Sequence, residues 1–321
     1  MDNIIGHKTA VRQLQQAALD SQPAHAYLFT GPPAIGKRTL AEAFAQTLNC
    51  TGEAPPCSAC RACRLITAGR HPDVRIIGEN NDAIKIDQIR ELQRDASLAP
   101  VEARWRVFLL PNVERATREA ANALLKTLEE PPAHVVLLLT ALEADALLPT
   151  VVSRCRTIPL RPLSIHVVQT ALEEQWDVES ERAALLARLS GGRIGWAVAV
   201  SEDSAILDRR QVEIEALASV AGAGRVARLD MAYRLSRDEK HLADNLAVWL
   251  SWWRDLMLVK AGIVDAVTNA DHLLTLQSQA AGYEEQQIAD TIGAIRQTIR
   301  QIDANVNSRL ALEVLLLNMP S

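Results

Sequence analysis

The chain has 321 residues, 48% of them hydrophobic and 23% charged, which is too long for one ordinary core and too apolar for disorder. No apolar run reaches the roughly 18 to 20 residues that span a bilayer, and the start lacks a basic region followed by an apolar one, so a cytoplasmic chain without membrane association is expected. Residues 1–163 carry net charge +2 and residues 164–321 carry −7, which excludes a half that neutralises many phosphates by itself; any DNA contact is expected through an assembly.

The first predicted strand, Ala26–Thr30, runs into Gly31-Pro32-Pro33-Ala34-Ile35-Gly36-Lys37, and a helix follows over about Lys37 to Leu48. A phosphate loop has this strand–loop–helix context: glycines let backbone N–H groups surround phosphate oxygens, the helix N-terminus favours an anion, and Lys37 reaches the terminal phosphates. A Gly/Pro turn with a surface lysine is the alternative. Candidate nucleotide-binding residues are Gly31, Gly36, Lys37, Arg38 and Thr39, for ATP or ADP. The position after the lysine, where a hydroxyl would coordinate Mg²⁺, holds Arg38; Thr39 lies about 100° further around the helix.

Next comes Cys50-x6-Cys57-x2-Cys60-x2-Cys63, four of the five cysteines within one short stretch. Thiolates so spaced on a loop suit a closed tetrahedral Zn²⁺ site of structural type. An iron–sulfur cluster and metal-free reduced thiols are the alternatives, the first weakened because no Cys-Pro follows.

Further strands are predicted at Val74–Ile77, Val107–Leu110, Val135–Thr140 and Thr157–Leu160, short continuous apolar runs of the kind buried on both faces of a parallel sheet. The run at 107–110 ends in Pro111-Asn112, where a hydrolysing site needs acids to hold the metal and orient water; Glu114 lies two residues too late. Between strands, Thr117–Glu129 reads as a helix with Ala120, Ala121, Leu124, Leu125 and Leu128 on one face, stopped by Pro131-Pro132. Ser153-Arg154-Cys155-Arg156 then forms a basic turn before the last strand. Alone it is a solvated turn, but in an oligomeric ATPase an arginine at such an edge acts on a neighbour's phosphate.

Five strands with crossover helices predict a doubly wound α/β domain over 1–163. Helices over Ser164–Trp176, Ser180–Leu189 and Trp196–Val200 predict a small three-helix domain, 164–203. An all-α domain over 204–321 follows, with turns at Gly222-Ala223-Gly224, Gly262 and Gly282. Within it Trp249, Trp252, Trp253 and Leu256 have helical spacing and read as core or subunit contact, with base stacking as the alternative.

Together these residues resemble the delta-prime family of the bacterial DNA polymerase III clamp loader, within the AAA+ superfamily. The resemblance covers essentially the whole chain: Ile5-Gly6-His7, His25-Ala26-Tyr27-Leu28-Phe29, the cysteine loop, Ala121-Asn122-Ala123-Leu124-Leu125-Lys126-Thr127-Leu128-Glu129-Glu130-Pro131-Pro132, Ser153-Arg154-Cys155-Arg156 and Asn307-Ser308-Arg309-Leu310-Ala311-Leu312-Glu313. It implies a RecA-like domain, a helical lid and a helical collar through which five subunits form an open ring. The ring loads a sliding clamp onto primed DNA, with gamma/tau subunits consuming ATP and delta as a further partner. The chain itself would be a stator without ATPase activity, contributing Arg154 in trans to a gamma/tau site. An ATP-hydrolysing gamma/tau subunit and a stand-alone zinc-containing nucleotide-binding module are the competing readings. A further departure supports the stator: active members carry Gly-x-x-Arg-x-Ala in the lid, whereas Gly192-Arg193-Ile194-Gly195-Trp196-Ala197 has Gly195 in the arginine's place.

Overall fold

The computed structural model describes residues 1, 4–20, 22–78, 83–220, 222–238, 240–304 and 306–320. Five parallel strands, β1 (Ala26–Thr30), β2 (Val74–Ile76), β3 (Arg106–Leu110), β4 (Val135–Ala141) and β5 (Arg156–Pro159), lie in the order β2-β3-β4-β1-β5. Because strand side chains alternate between faces, one apolar run feeds two cores. Tyr27, Phe29, Val107, Leu109, Val136 and Leu138 pack with Leu14 of α1 (Lys8–Leu19) and Leu40 and Phe44 of α2 (Lys37–Asn49). Leu28, Phe108, Leu110, Leu137 and Leu139 face the other way, onto Ile89 and Leu92 of α4 (Ile86–Ala96) and Leu124 and Leu128 of α5 (Arg118–Glu129). A short α3 (Arg61–Thr67) carries the last cysteine of the loop.

The predicted strands are all present, but uniform burial holds only for β1, β3 and β4. β2 is half-buried and β5 exposes Arg156, Thr157 and Pro159, because these two are the sheet edges. Pro159 is tolerated there since an edge strand can lack one N–H. The predicted Thr117–Glu129 helix begins one residue later, with Thr117 as its cap: Oγ1 accepts from Ala120 N at 3.2 Å. A four-residue helix, α6 (Pro149–Val152), leads into the basic turn.

The chain forms two compact units, Met1–Ala171 with Gly192–Trp196, and Leu172–Gly191 with Ala197–Ser321. The first holds the sheet. The second is helical: α8 (Ser180–Leu189), α10 (Ala205–Val220), α11 (Arg225–Arg237), α12 (Leu242–Lys260), α13 (Leu273–Gly282), α14 (Glu285–Asp303) and α15 (Ser308–Asn318). Two helices cross the division, α7 (Ile165–Trp176) and α9 (Ile194–Glu202). In the second unit Trp249, Trp252, Trp253 and Leu256 are buried in the core with Leu246, Leu276 and Leu312, which withdraws the indoles from any base-stacking role. Trp252 Nε1 donates to Gln279 Oε1 at 3.0 Å. Arg228, buried on α11, donates through Nη1 to the carbonyls of Leu316 (2.8 Å) and Met319 (2.6 Å), capping the end of α15. These two helices pack together yet leave apolar side chains outward: Val226, Leu229 and Tyr233 on α11, and Leu310, Val314 and Leu317 on α15.

Candidate functional site

The loop after β1 turns sharply at Gly31, whose φ is +146° and where a Cβ would meet the Leu160 carbonyl oxygen at 2.5 Å; only glycine fits. Gly36 then caps α2, which opens at Lys37. An open cavity of about 520 Å³ lies over the loop, lined by Gly36, Lys37, Arg38 and Thr39, by Pro111 and Asn112 beyond β3, and by Gly195. Four of the five predicted nucleotide residues thus share one cavity. Gly31 does not line it but supplies a carbonyl to Lys37.

The loop's lysine and several of its carbonyls are engaged within the chain. Lys37 is buried, and its Nζ donates to the carbonyls of Gly31 (2.6 Å) and Pro32 (2.9 Å). Burial lowers its pKa, opposed by the negative charge of Glu114. His7 Nε2 lies 3.2 Å from the Ile35 carbonyl, which makes that nitrogen the donor. Gly195 N–H, in the first turn of α9, donates to the Ala34 carbonyl at 2.8 Å, and a Cβ at 195 would stand 2.9 Å from that same oxygen. Gly195 was legible in sequence only as a missing arginine; here its bare backbone is the contact itself. The His7 contact was not legible as a site feature, since its partner lies 28 residues away.

Among the described residues, the end of β3 carries no acid into this cavity. Asn112 has φ of 50° and donates its N–H to Thr140 Oγ1 at 3.0 Å. Glu114 sits in a single 3₁₀ turn, Val113–Arg115, and is not among the cavity-lining residues. Arg38 points along α2 to an ion pair with Glu42 at 2.7 Å.

The sulfur atoms of Cys50, Cys57, Cys60 and Cys63 all lie within 4.8 Å of one another. A tetrahedral Zn²⁺ with bonds of ~2.3 Å needs sulfurs about 3.8 Å apart, so the donor set fits a metal after a small contraction. Backbone N–H groups already point at the sulfurs: Gly52 and Cys57 donate to Cys50 Sγ, Cys60 to Cys57 Sγ and Cys63 to Cys60 Sγ, at 3.3–3.4 Å. Such donors stabilise thiolate charge. The Cys63 backbone N–H accordingly leads in holding the Cys60 thiol down at about 5, while burial pushes Cys63 up.

Arg154 follows α6 on the turn before β5 and is 35% exposed. Its Nη2 pairs with Glu129 Oε1 at 2.8 Å. The neighbouring Cys155 packs against the core beneath, where burial raises its thiol to about 12. None of this brings Arg154 to its own phosphate loop's cavity, which it does not line.

The model of the family described as "DNA polymerase III, delta subunit" matches residues 6–164. DNA polymerase III subunit delta' of Bacillus subtilis (strain 168) is 30% identical over 298 residues, 92% of this chain and 90% of the relative. Subunit delta' of Pseudomonas aeruginosa (strain PAO1) is 39% identical over 180 residues, 54% of each. Subunit tau of Escherichia coli (strain K12) is 33% identical over 227 residues, 68% of this chain but 35% of tau's own length. Among solved structures, a DNA polymerase III gamma subunit-related protein of Thermotoga maritima superposes with a TM-score of 0.50 at 19% identity, covering 96% of this chain and 97% of that one, which fixes the fold. Sequence motifs, sheet order and relatives converge: the chain belongs to the delta' family of DNA polymerase III clamp-loader subunits.

Proposed function

We propose that the chain is a clamp-loader stator that hydrolyses no ATP itself and supplies Arg154 in trans to the ATP site of a neighbouring gamma/tau subunit. One observation carries this reading. Arg154 stands partly exposed on a turn backed by the core, while in the chain's own phosphate loop Lys37 is held on the Gly31 and Pro32 carbonyls and Gly195 on Ala34, with Pro111 and Asn112 rather than acids following β3. A guanidinium aimed at transferring phosphate stabilises charge that develops there, and it needs no metal or water-orienting acid on its own side. The roomy cavity over the loop supports binding of ATP or ADP without turnover, through Gly31, Gly36, Lys37, Arg38 and Thr39.

In this reading 1–163 is the RecA-like domain, 164–203 the lid and 204–321 the collar. Delta and gamma/tau are the direct partners, and the sliding clamp and primed DNA are met through the assembled ring. Cys50, Cys57, Cys60 and Cys63 hold a structural Zn²⁺, whose closed four-thiolate shell leaves no place for water and which fastens the loop between α2 and α3; elemental analysis should find one zinc per chain.

The test is a steady-state ATPase assay on the purified chain, expected to show no turnover, paired with reconstitution. Arg154→Ala should assemble normally and lower ATP-dependent clamp loading by about 10³-fold, the scale of a lost trans arginine. Full loading by this variant overturns the assignment. Turnover by the isolated chain would instead favour the ATP-hydrolysing reading, to which the resemblance to tau gives independent weight.

A further inference from the structure

The guanidinium of Arg154 is already engaged on both arms. Nη2 pairs with Glu129 Oε1 at 2.8 Å, and Nη1 donates to the Thr150 carbonyl at 3.0 Å and to Ser153 Oγ at 3.4 Å. Glu129 is the last residue of α5. The backbones on both sides are anchored in one core: Leu128 and Val151 are buried in it, and Cys155 packs against it. The two side chains themselves are 50% and 35% exposed, open enough to rotate apart. Backbone carriers fixed at this spacing, with exposed charged tips, make a contact that can be exchanged without disturbing the fold.

A carboxylate at hydrogen-bond distance neutralises the charge that an incoming phosphate would feel, and it repels the phosphate directly. A bidentate grip on phosphate also requires the guanidinium edge that Glu129 takes up. Resting on the reading of Arg154 as a trans arginine, we propose that Glu129 is a positioning residue that keeps Arg154 docked on its own chain until a neighbouring subunit's ATP competes for it. Glu129 thereby sets the ATP concentration at which the trans contact forms.

The test uses the full chain assembled with its ATP-hydrolysing neighbours, comparing wild type with Glu129→Gln, Glu129→Asp, Arg154→Ala and the double variant E129Q/R154A. Glu129→Gln should lower the half-saturating ATP concentration by up to about fivefold, which is what a partly exposed ion pair of ~1 kcal/mol amounts to, and leave the maximal rate unchanged. Glu129→Asp should restore the wild-type value, and the double variant should match Arg154→Ala. In the isolated chain, phenylglyoxal should modify Arg154 faster in E129Q, read by mass spectrometry. If Arg154→Ala lowers turnover but E129Q leaves the half-saturating concentration unchanged, or raises it, the docking role is overturned alone. If Arg154→Ala equals wild type, the trans assignment itself fails.

Discussion

Gly195 shows how much one missing side chain decides. Its N–H reaches the Ala34 carbonyl at 2.8 Å, and a Cβ there would press on that oxygen at 2.9 Å, against backbone that cannot rotate aside. Gly195→Ala is therefore expected to destabilise the sheet-containing unit by about 1–3 kcal/mol, the range for forcing extra volume into a packed contact. Urea unfolding followed by circular dichroism checks it; an unchanged midpoint would mean the α9 segment lifts off the loop at no cost. Sequence reading identifies Lys37 as the group that would reach phosphate, and the structure finds it facing carbonyls of its own loop. That difference is out of reach of pattern reasoning, since a lysine's partner depends on how the loop closes. The Glu129–Arg154 pair is hidden for a related reason: the two residues belong to separate motifs, and only the packing of α5 against α6 brings the motifs together.

Elements are read most securely where local pattern and burial agree. The central strands β1, β3 and β4 are apolar at nearly every position because each face meets a helix layer. Edge status of β2 and β5 does not follow from their own residues, because strand order is set by crossovers elsewhere in the chain. One side chain fastens the edge at β2. Asp73, just before this strand, accepts from the N–H groups of Val101, Glu102 and Ala103 at 2.7–2.9 Å and from Arg106 Nη2 at 3.0 Å. Burial pushes its carboxyl up, but these donors, led by the Glu102 N–H, outweigh burial and hold it at about 2. A depressed carboxyl pKa contributes stability that is present above the unfolded value, near 3.9, and is lost as pH falls through the folded value. About 2 kcal/mol should accordingly disappear between pH ~4 and ~2. Denaturant midpoints across that window should fall less steeply in Asp73→Asn, which starts from a less stable fold; parallel slopes in the two proteins would exclude Asp73 as the titrating anchor.

Over the whole molecule, the helical unit carries a surface that its own core does not need. Val226 and Val314 are 83% and 62% exposed, and with Leu229, Tyr233, Leu310 and Leu317 they line the outer sides of two neighbouring helices. In the proposed ring these exposed apolar side chains on two packed helices would form the collar face that meets adjoining subunits, since exposed apolar surface favours association. Val314→Asp should leave the isolated chain's melting temperature within a few degrees of wild type. It should also prevent co-elution with gamma/tau and delta on size exclusion; normal co-elution would move the collar contact elsewhere.

In the proposed assembly, a phosphate loop tied down by its own contacts would also limit what this subunit can report. A ligand shifts an equilibrium only by discriminating between two states of its site. The loop's lysine, Ala34 carbonyl and Ile35 carbonyl all have partners within the chain, so a nucleotide that reshaped the loop would have to break those contacts. In the proposed ring this subunit would then be the zero of the scale, the fixed datum from which the displacement of its ATP-consuming neighbours is measured.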